Sequence, residues 1–388
     1  MHGQPDADIL RLTGKTMHKG NSYNIHLPLI GRISIKKHDD KGFSCLVETL
    51  DKNVNLHIRC GNLCFPAISN RTWHSLCDID IDVGDIVSVS PEGQLKFLFK
   101  SMTDDNILFM TDKCNYHCAM CPQPLPPDPQ DFYQEAEEII NLIDVSPRVL
   151  GITGGEPLLN FTKFLNIIKT LKYLHPDTCL QILTNASVLA DEKNAAQLFE
   201  TGKSGMTFCI PIYSAQPDIH DLIVGKKGAF RTTVKALYNI AKYEADIEIR
   251  TVITKQNYHH MENLAHFVSM NFPFINHFAV MGTEIIGNAR TNINDIFIAP
   301  NEYQLQLINC LQTLRRHNIC FSIYNHPQCL IPENFRQYST KAISKWKIRF
   351  YEECTGCTLK NDCGGIFFTN MKEYKNIIKP EIPERGIL

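Results

Sequence analysis

The sequence predicts an α/β protein. Its centre is a partial (β/α)6 barrel of the TIM type, flanked by a small β-rich N-terminal domain and a cysteine-rich C-terminal extension. Three observations carry this reading. Apolar strand-like runs alternate with amphipathic helical runs from about residue 104 onward. The first hundred residues hold only short β-type runs. The cysteines gather in the loops and the tail.

The central alternation runs in order as "NILFM", "DFYQEAEEIINLID", "RVLGIT", "FTKFLNIIKTLKYL", "LQILTN", "DEKNAAQLFE", "MTFCIPIY", "FRTTVKALYNIAKYE", "IEIRTVIT", "NYHHMENLAHFVSM" and "HFAVMG". Repeated βα units imply a parallel sheet. Six of them take roughly 200 residues, whereas a complete eightfold barrel takes about 250. Upstream, "SYNIHLPLIGRISI", "FSCLVETL" and "VNLHIRC" read as strands. "GDIVSVSPEGQLKFLFKS" reads as a hairpin around Pro91-Glu92-Gly93. Downstream come a helix, "NEYQLQLINCLQTLRRH", a strand, "ICFSIY", and an irregular tail. The expected domains are therefore 1–100, 101–300 and 301–388.

Hydrophobic content of 44% and charged content of 21% are ordinary for a globular chain, and the formal net charge of −2 offers no global field for nucleic acid. No apolar run reaches membrane-spanning length, and the N-terminus lacks a signal pattern. The expectation is a cytoplasmic protein without membrane or nucleic-acid partners. In a reducing compartment, 15 cysteines point to metal or redox chemistry rather than to disulfides.

In βα architectures the chemistry sits in the loops after the strands. The first such loop reads "TDKCNYHCAMCPQP", with Cys114, Cys118 and Cys121 spaced C-x3-C-x2-C. Zinc sites pair their ligands to close a tetrahedron. Three thiols on one loop instead leave a cluster with one open position, since iron–sulfur clusters take four ligands. The second loop is "GGEP", Gly154 to Pro157.

"CNYHCAMC" followed by "GGEP" resembles the radical S-adenosylmethionine (SAM) superfamily. The resemblance implies a 4Fe–4S cluster on Cys114, Cys118 and Cys121 whose open iron chelates SAM. Reductive cleavage of SAM would then give a 5′-deoxyadenosyl radical that abstracts a substrate hydrogen. It implies that Gly154, Gly155, Glu156 and Pro157 face the methionyl group of SAM, with Glu156 toward its ammonium. Met120 stands where relatives often place an aromatic residue against adenine. Ser214 and Arg250 are candidates for the SAM ribose and carboxylate. An ordinary loop serine and a barrel salt bridge are their plainer readings. Asn185 resembles the third-strand loop of relatives, or else caps a turn. The segment "GTEIIGNAR" resembles the part that flanks adenine, and there Glu284 either faces the substrate or pairs with Arg290. His117 reads as a solvent-side or SAM-side residue.

The tail carries Cys329, Cys354, Cys357 and Cys363. Their spacing admits structural zinc. Many peptide-modifying relatives carry a second, auxiliary 4Fe–4S cluster in such an extension, and this tail resembles a short form of it. Cys320 is the alternative to Cys329. Cys60, Cys64 and Cys77 form a third metal site or are buried or unpaired thiols.

"TDKCNYHCAMCPQPLPP", "AISKW" and "CTGCTLKNDCGGIFF" further resemble the HxsC maturases of the His-Xaa-Ser system. That resemblance covers about residues 100 to 370. It implies modification of a ribosomally made peptide with His-Xaa-Ser repeats, a partner radical SAM protein, and an electron donor such as flavodoxin or ferredoxin. The competing readings are a radical SAM enzyme for RNA, a small molecule or a glycyl-radical partner, and a non-catalytic zinc-binding interaction protein.

Overall fold

A computed structural model describes residues 18–19, 29–39, 42–50, 55–60, 81–89, 94–202, 204–344 and 347–382. The N-terminal strands are β1 (His18–Lys19), β2 (Leu29–Asp39), β3 (Gly42–Glu48), β4 (Asn55–Cys60), β5 (Ile86–Val89) and β6 (Gln94–Phe99). They form one antiparallel sheet in the order β1-β6-β5-β2-β3-β4. Ile33, Cys45, Val47, Val87, Val89, Leu95 and Phe97 bury one face of it. The β5–β6 pairing is the expected hairpin. Its turn residues, the side chain of Cys60, and Cys64 and Cys77 lie outside the described residues.

Next come β7 (Ile107–Phe109), α1 (Tyr133–Leu142), β8 (Val149–Thr153), α2 (Phe161–Leu174), β9 (Cys179–Leu183), α3 (Glu192–Glu200), β10 (Met206–Pro211), α4 (Pro217–Val224), α5 (Ala229–Ala241), β11 (Asp246–Val252), α6 (Met261–Asn271) and β12 (His277–Met281). The remainder is α7 (Asn288–Thr291), α8 (Ile293–Ile296), α9 (Gln304–Arg316), β13 (Phe321–Tyr324), β14 (Ser339–Thr340), β15 (Ile348–Arg349), β16 (Ile366–Phe367) and α10 (Met371–Tyr374).

The chain forms two compact units. The first comprises residues 1–113, 127–183 and 200–206. The second comprises 114–126, 184–199 and 207–388. Within the first unit, β7 pairs parallel with β8 and β8 with β9. Helix α2 shows why the local sequence folds as it does. Phe164, Ile167, Ile168 and Leu171 recur at helical spacing and are all buried. Burying each such side chain contributes about 1.5–3 kcal/mol. Asn160 accepts from the Lys163 N–H (3.2 Å) and caps the helix start. Arg32 of β2 forms an ion pair with Asp144, just past α1.

Within the second unit β10, β11, β12, β13 and β14 pair in parallel, each with the next. The fold is thus α/β with parallel strands in chain order. The series runs past the six expected strands: "ICFSIY" joins it as β13, and β14 adds another. The outer part of the tail is tied by the short antiparallel pair β15–β16.

Candidate active site

In the first unit, the chain ahead of the cysteine triplet is cradled by the GGEP loop. Gly155 N–H donates to Thr111 O (2.7 Å), and Glu156 N–H donates to Lys113 O (2.8 Å). A Cβ on Gly154 would lie 2.7 Å from Thr111 O, and one on Gly155 would lie 2.6 Å from Asp112 O. Only glycine fits this approach. Lys113 is the residue before Cys114, so the motif fixes the entry into the cysteine loop. Glu156 is buried, and its carboxylate accepts from the Leu158 N–H (3.0 Å). The Pro157 carbonyl accepts from Tyr133 Oη (3.0 Å).

In the second unit, the cysteine loop is braced from two sides. After β10, helix α4 ends against it: His117 N–H donates to Val224 O (3.0 Å), and Ala119 N–H donates to Ile223 O (2.8 Å). After β12, Asn288 donates its N–H to Cys121 O (2.8 Å) and its Nδ2 to Cys118 O (3.0 Å). Asn292 Nδ2 donates to Ala119 O (3.0 Å). Asn288 and Asn292 stand four residues apart, so one helical face carries both contacts. Gly287 has φ of +53°, and a Cβ there would lie 2.6 Å from Pro122 O.

Cys114, Cys118 and Cys121 are partly buried thiols. Burial pushes the Cys121 thiol up, opposed by its bond to Gln123 O (3.1 Å). Cys114 Sγ accepts from the Tyr116 N–H (3.4 Å). Around the loop, Tyr116, Met120, Tyr213, Ile223, Val224, Ala289 and Ile296 form an apolar cluster against which Cys114 and Cys118 pack. Met120 is therefore a core side chain, while His117 is exposed. Three soft donors on one loop, shielded by apolar groups and fixed through their backbone, fit an iron–sulfur cluster.

Asn185 joins this arrangement. Its Nδ2 donates to Asn115 Oδ1 (2.8 Å), and its Oδ1 caps the Ser187 N–H (2.9 Å). Asn115 in turn donates to Ser187 Oγ (2.9 Å). Ser214 is fully buried and accepts from the Gln216 N–H (3.0 Å).

Arg250 lies in a polar row. Its Nε donates to Glu248 (2.5 Å), Glu248 bonds His277 Nδ1 (2.8 Å), and His277 Nε2 bonds Ser322 Oγ (2.9 Å). Burial would raise the Glu248 carboxyl, but His277 and Arg250 outweigh it and hold it at about 2. Glu284 bonds Lys347 Nζ with both oxygens (3.0 and 3.1 Å), while Arg290 is exposed. Burial pushes the Glu284 carboxyl up, and Lys347 opposes this only in part.

Cys329, Cys354, Cys357 and Cys363 line one cavity with Gln328, Phe350, Lys360 and Ile366. It encloses about 340 Å³, including space open to solvent. Cys363 Sγ accepts from the Gln328 and Gly365 N–H groups, both at 3.4 Å. Burial, followed by the neighbouring thiols, raises Cys329 and Cys354. Among the described residues no three His, Cys, Asp or Glu side chains are grouped closely enough to hold a single metal ion. Cys320 is exposed and does not line this cavity.

Sequence reasoning missed Asn115, Asn288, Asn292, Asn370 and Lys347. Asn288 and Asn292, at i and i+4, were readable as a pair. The other three act over long sequence separation and leave no local signal.

The family model described as Radical SAM superfamily matches residues 108–268. The centre of the chain is therefore similar to the radical SAM superfamily. An AdoMet-dependent heme synthase of Oleidesulfovibrio alaskensis is 24% identical over 38% of this chain and 38% of its own. The antilisterial bacteriocin subtilosin biosynthesis protein AlbA of Bacillus subtilis is 23% identical over 40% of this chain and 34% of its own. These matches span little more than a third of either relative. The structure of Streptococcus suis SuiB bound to S-adenosylmethionine aligns with a TM-score of 0.44 and 16% identity, over 56% of this chain and 49% of that one. No helix among the described residues is long and apolar enough to cross a membrane.

Proposed function

We propose that this chain is a radical SAM maturase of a ribosomally made peptide, of the His-Xaa-Ser type. The observation that carries the reading is the cysteine loop. It carries three partly buried thiols, its backbone is held by neighbouring elements, and its entry is fixed by a motif that admits only glycine. Cys114, Cys118 and Cys121 would hold the 4Fe–4S cluster. With SAM bound, that cluster would supply the 5′-deoxyadenosyl radical that takes a hydrogen from the peptide.

The chain's own residues would bind and orient. Gly154, Gly155, Glu156 and Pro157 would receive the methionyl end of SAM, with Ser214 and Arg250 on its ribose and carboxylate. The backbone of Met120 would support adenine. Asn185 would hold the loop through Asn115. The apolar cluster around Tyr213 would keep water from the thiols.

Cys329, Cys354, Cys357 and Cys363 would hold an auxiliary 4Fe–4S cluster. That all four thiols line one shared cavity supports this reading. The name of one relative, a bacteriocin biosynthesis protein, favours a peptide substrate. A partner radical SAM protein, a flavodoxin or ferredoxin donor, a cytoplasmic setting and the division at residues 100 and 300 belong to the same proposal.

The test is anaerobic reconstitution, reduction, and incubation with SAM and a peptide of His-Xaa-Ser repeats. The reading expects 5′-deoxyadenosine and a mass change in the peptide. Cleavage without peptide change would move the substrate to RNA, a small molecule or a glycyl-radical partner. A colourless, zinc-loaded protein that leaves SAM intact would make it a zinc-binding interaction protein.

A further inference from the structure

Residues 282–292 run like a strap between the tail and the cysteine loop, all within the second unit. At one end stands Asn370, a buried tail residue. Its Nδ2 donates to Thr283 O (2.8 Å), and its Oδ1 accepts from the Ile285 N–H (2.9 Å). One amide thus takes the backbone groups of residues i and i+2, as a neighbouring strand would. Between them, Glu284 is held by Lys347, also of the tail. At the other end, Asn288 and Asn292 grip the carbonyls of Cys118, Ala119 and Cys121. The other bonds of Asn370 go to Thr369 and Tyr374, so none of its partners lies in the cysteine loop.

We propose that Asn370 is a positioning residue for the cysteine loop. It fixes the backbone at 283–285, and the strap carries that placement to Cys118 and Cys121. The tail therefore sets how those two thiols are presented. Without the amide, Thr283 O and the Ile285 N–H are buried and unpaired, a state that folded backbones avoid. The strap would then shift or loosen, and its far end with it. That the presented thiols hold a cluster rests on the proposed function, whereas the mechanical link does not.

Hydrogen exchange read by mass spectrometry on the full chain, before any reduction or SAM, tests the link. Asn370→Ala should raise exchange about tenfold at 118–121 as well as at 283–285, while helix α9 stays at its original rate. Asn288→Ala removes the far-end bond to Cys118 O. It should raise exchange at 118–121 while 283–285 stays unchanged, and it keeps the test decisive if the first variant fails to fold. Unchanged exchange at 118–121 in either folded variant would overturn the proposal. So would an equal rise in α9, which marks general loosening. Iron analysis of the same proteins is separate: a wild-type loop that takes no iron contradicts the proposed function and leaves the strap standing.

Discussion

The three-thiol loop and the four-thiol tail solve opposite problems. In the loop, the bonds from α4 and from the segment after β12 go to the backbone: Val224 and Ile223 take N–H groups, and Asn288 and Asn292 take carbonyls. In the tail, N–H groups of Gln328 and Gly365 point at the sulfur of Cys363 itself, around a shared cavity. A site with four ligands can be organised by the metal it closes on. A site with three must keep its shape while leaving a position open, and it needs a scaffold that does not depend on the metal. The difference teaches where each site is vulnerable. Backbone lesions should damage the loop, and thiol lesions should damage each site separately.

The largest effect expected comes from replacing Cys114, Cys118 and Cys121 with alanine. SAM cleavage should be lost altogether, and iron per chain should fall by about four atoms while the tail keeps its own. Iron and sulfide analysis checks this. An unchanged iron count would collapse the distinction between the two sites.

Next is Gly287→Ala, which forces a side chain into a left-handed backbone position against Pro122 O. Such strain costs about 1–3 kcal/mol. Denaturant melts should register it, and iron loss should be confined to the loop. Iron loss from the tail instead would show the two sites to be one unit.

Acid should act comparably on the shared framework. Burial drives His220 and His326 down to about 4, opposed by Asp221 for the first and by Tyr324 O for the second. Their folded pKa values lie below the unfolded value of 6.5, so the unfolded chain binds more protons between the two. Stability should therefore be full above about pH 6.5 and decline toward pH 4, by about 3 kcal/mol for each histidine. Melting curves across that range should flatten in His220→Gln. A slope identical to wild type would remove His220 from the account.

The smallest effect belongs to Lys347→Met. It leaves Glu284 half-shielded without its cation, which should cost about 1 kcal/mol unless the carboxyl takes up a proton. Glu284 titrates upward already, so the loss should shrink as pH falls toward the carboxylate range. A thermal melt series over pH measures it, and a pH-independent loss would contradict the ion-pair assignment.

Much of this was readable in advance because the signals were local. The bounds of α2 coincide with "FTKFLNIIKTLKYL", whose apolar spacing has one solution. The cysteine loop and GGEP follow their strands as expected. Helix α4 is absent from the expected series: it is short, and Pro217 stands in its first turn. Strand β13 was legible as a strand but not as a continuation of the sheet, because sheet membership is set by distant pairing. Glu284 had two candidate roles in the sequence. Its actual partner, Lys347, lies in the tail and was invisible to spacing.

The most direct test of the central claim is electron paramagnetic resonance of the reduced, reconstituted protein with and without SAM, in wild type and in the Cys114, Cys118 and Cys121 variant. The account predicts a SAM-dependent change in wild type, and in the variant a residual signal that ignores SAM. A SAM-dependent signal surviving in the variant would contradict it.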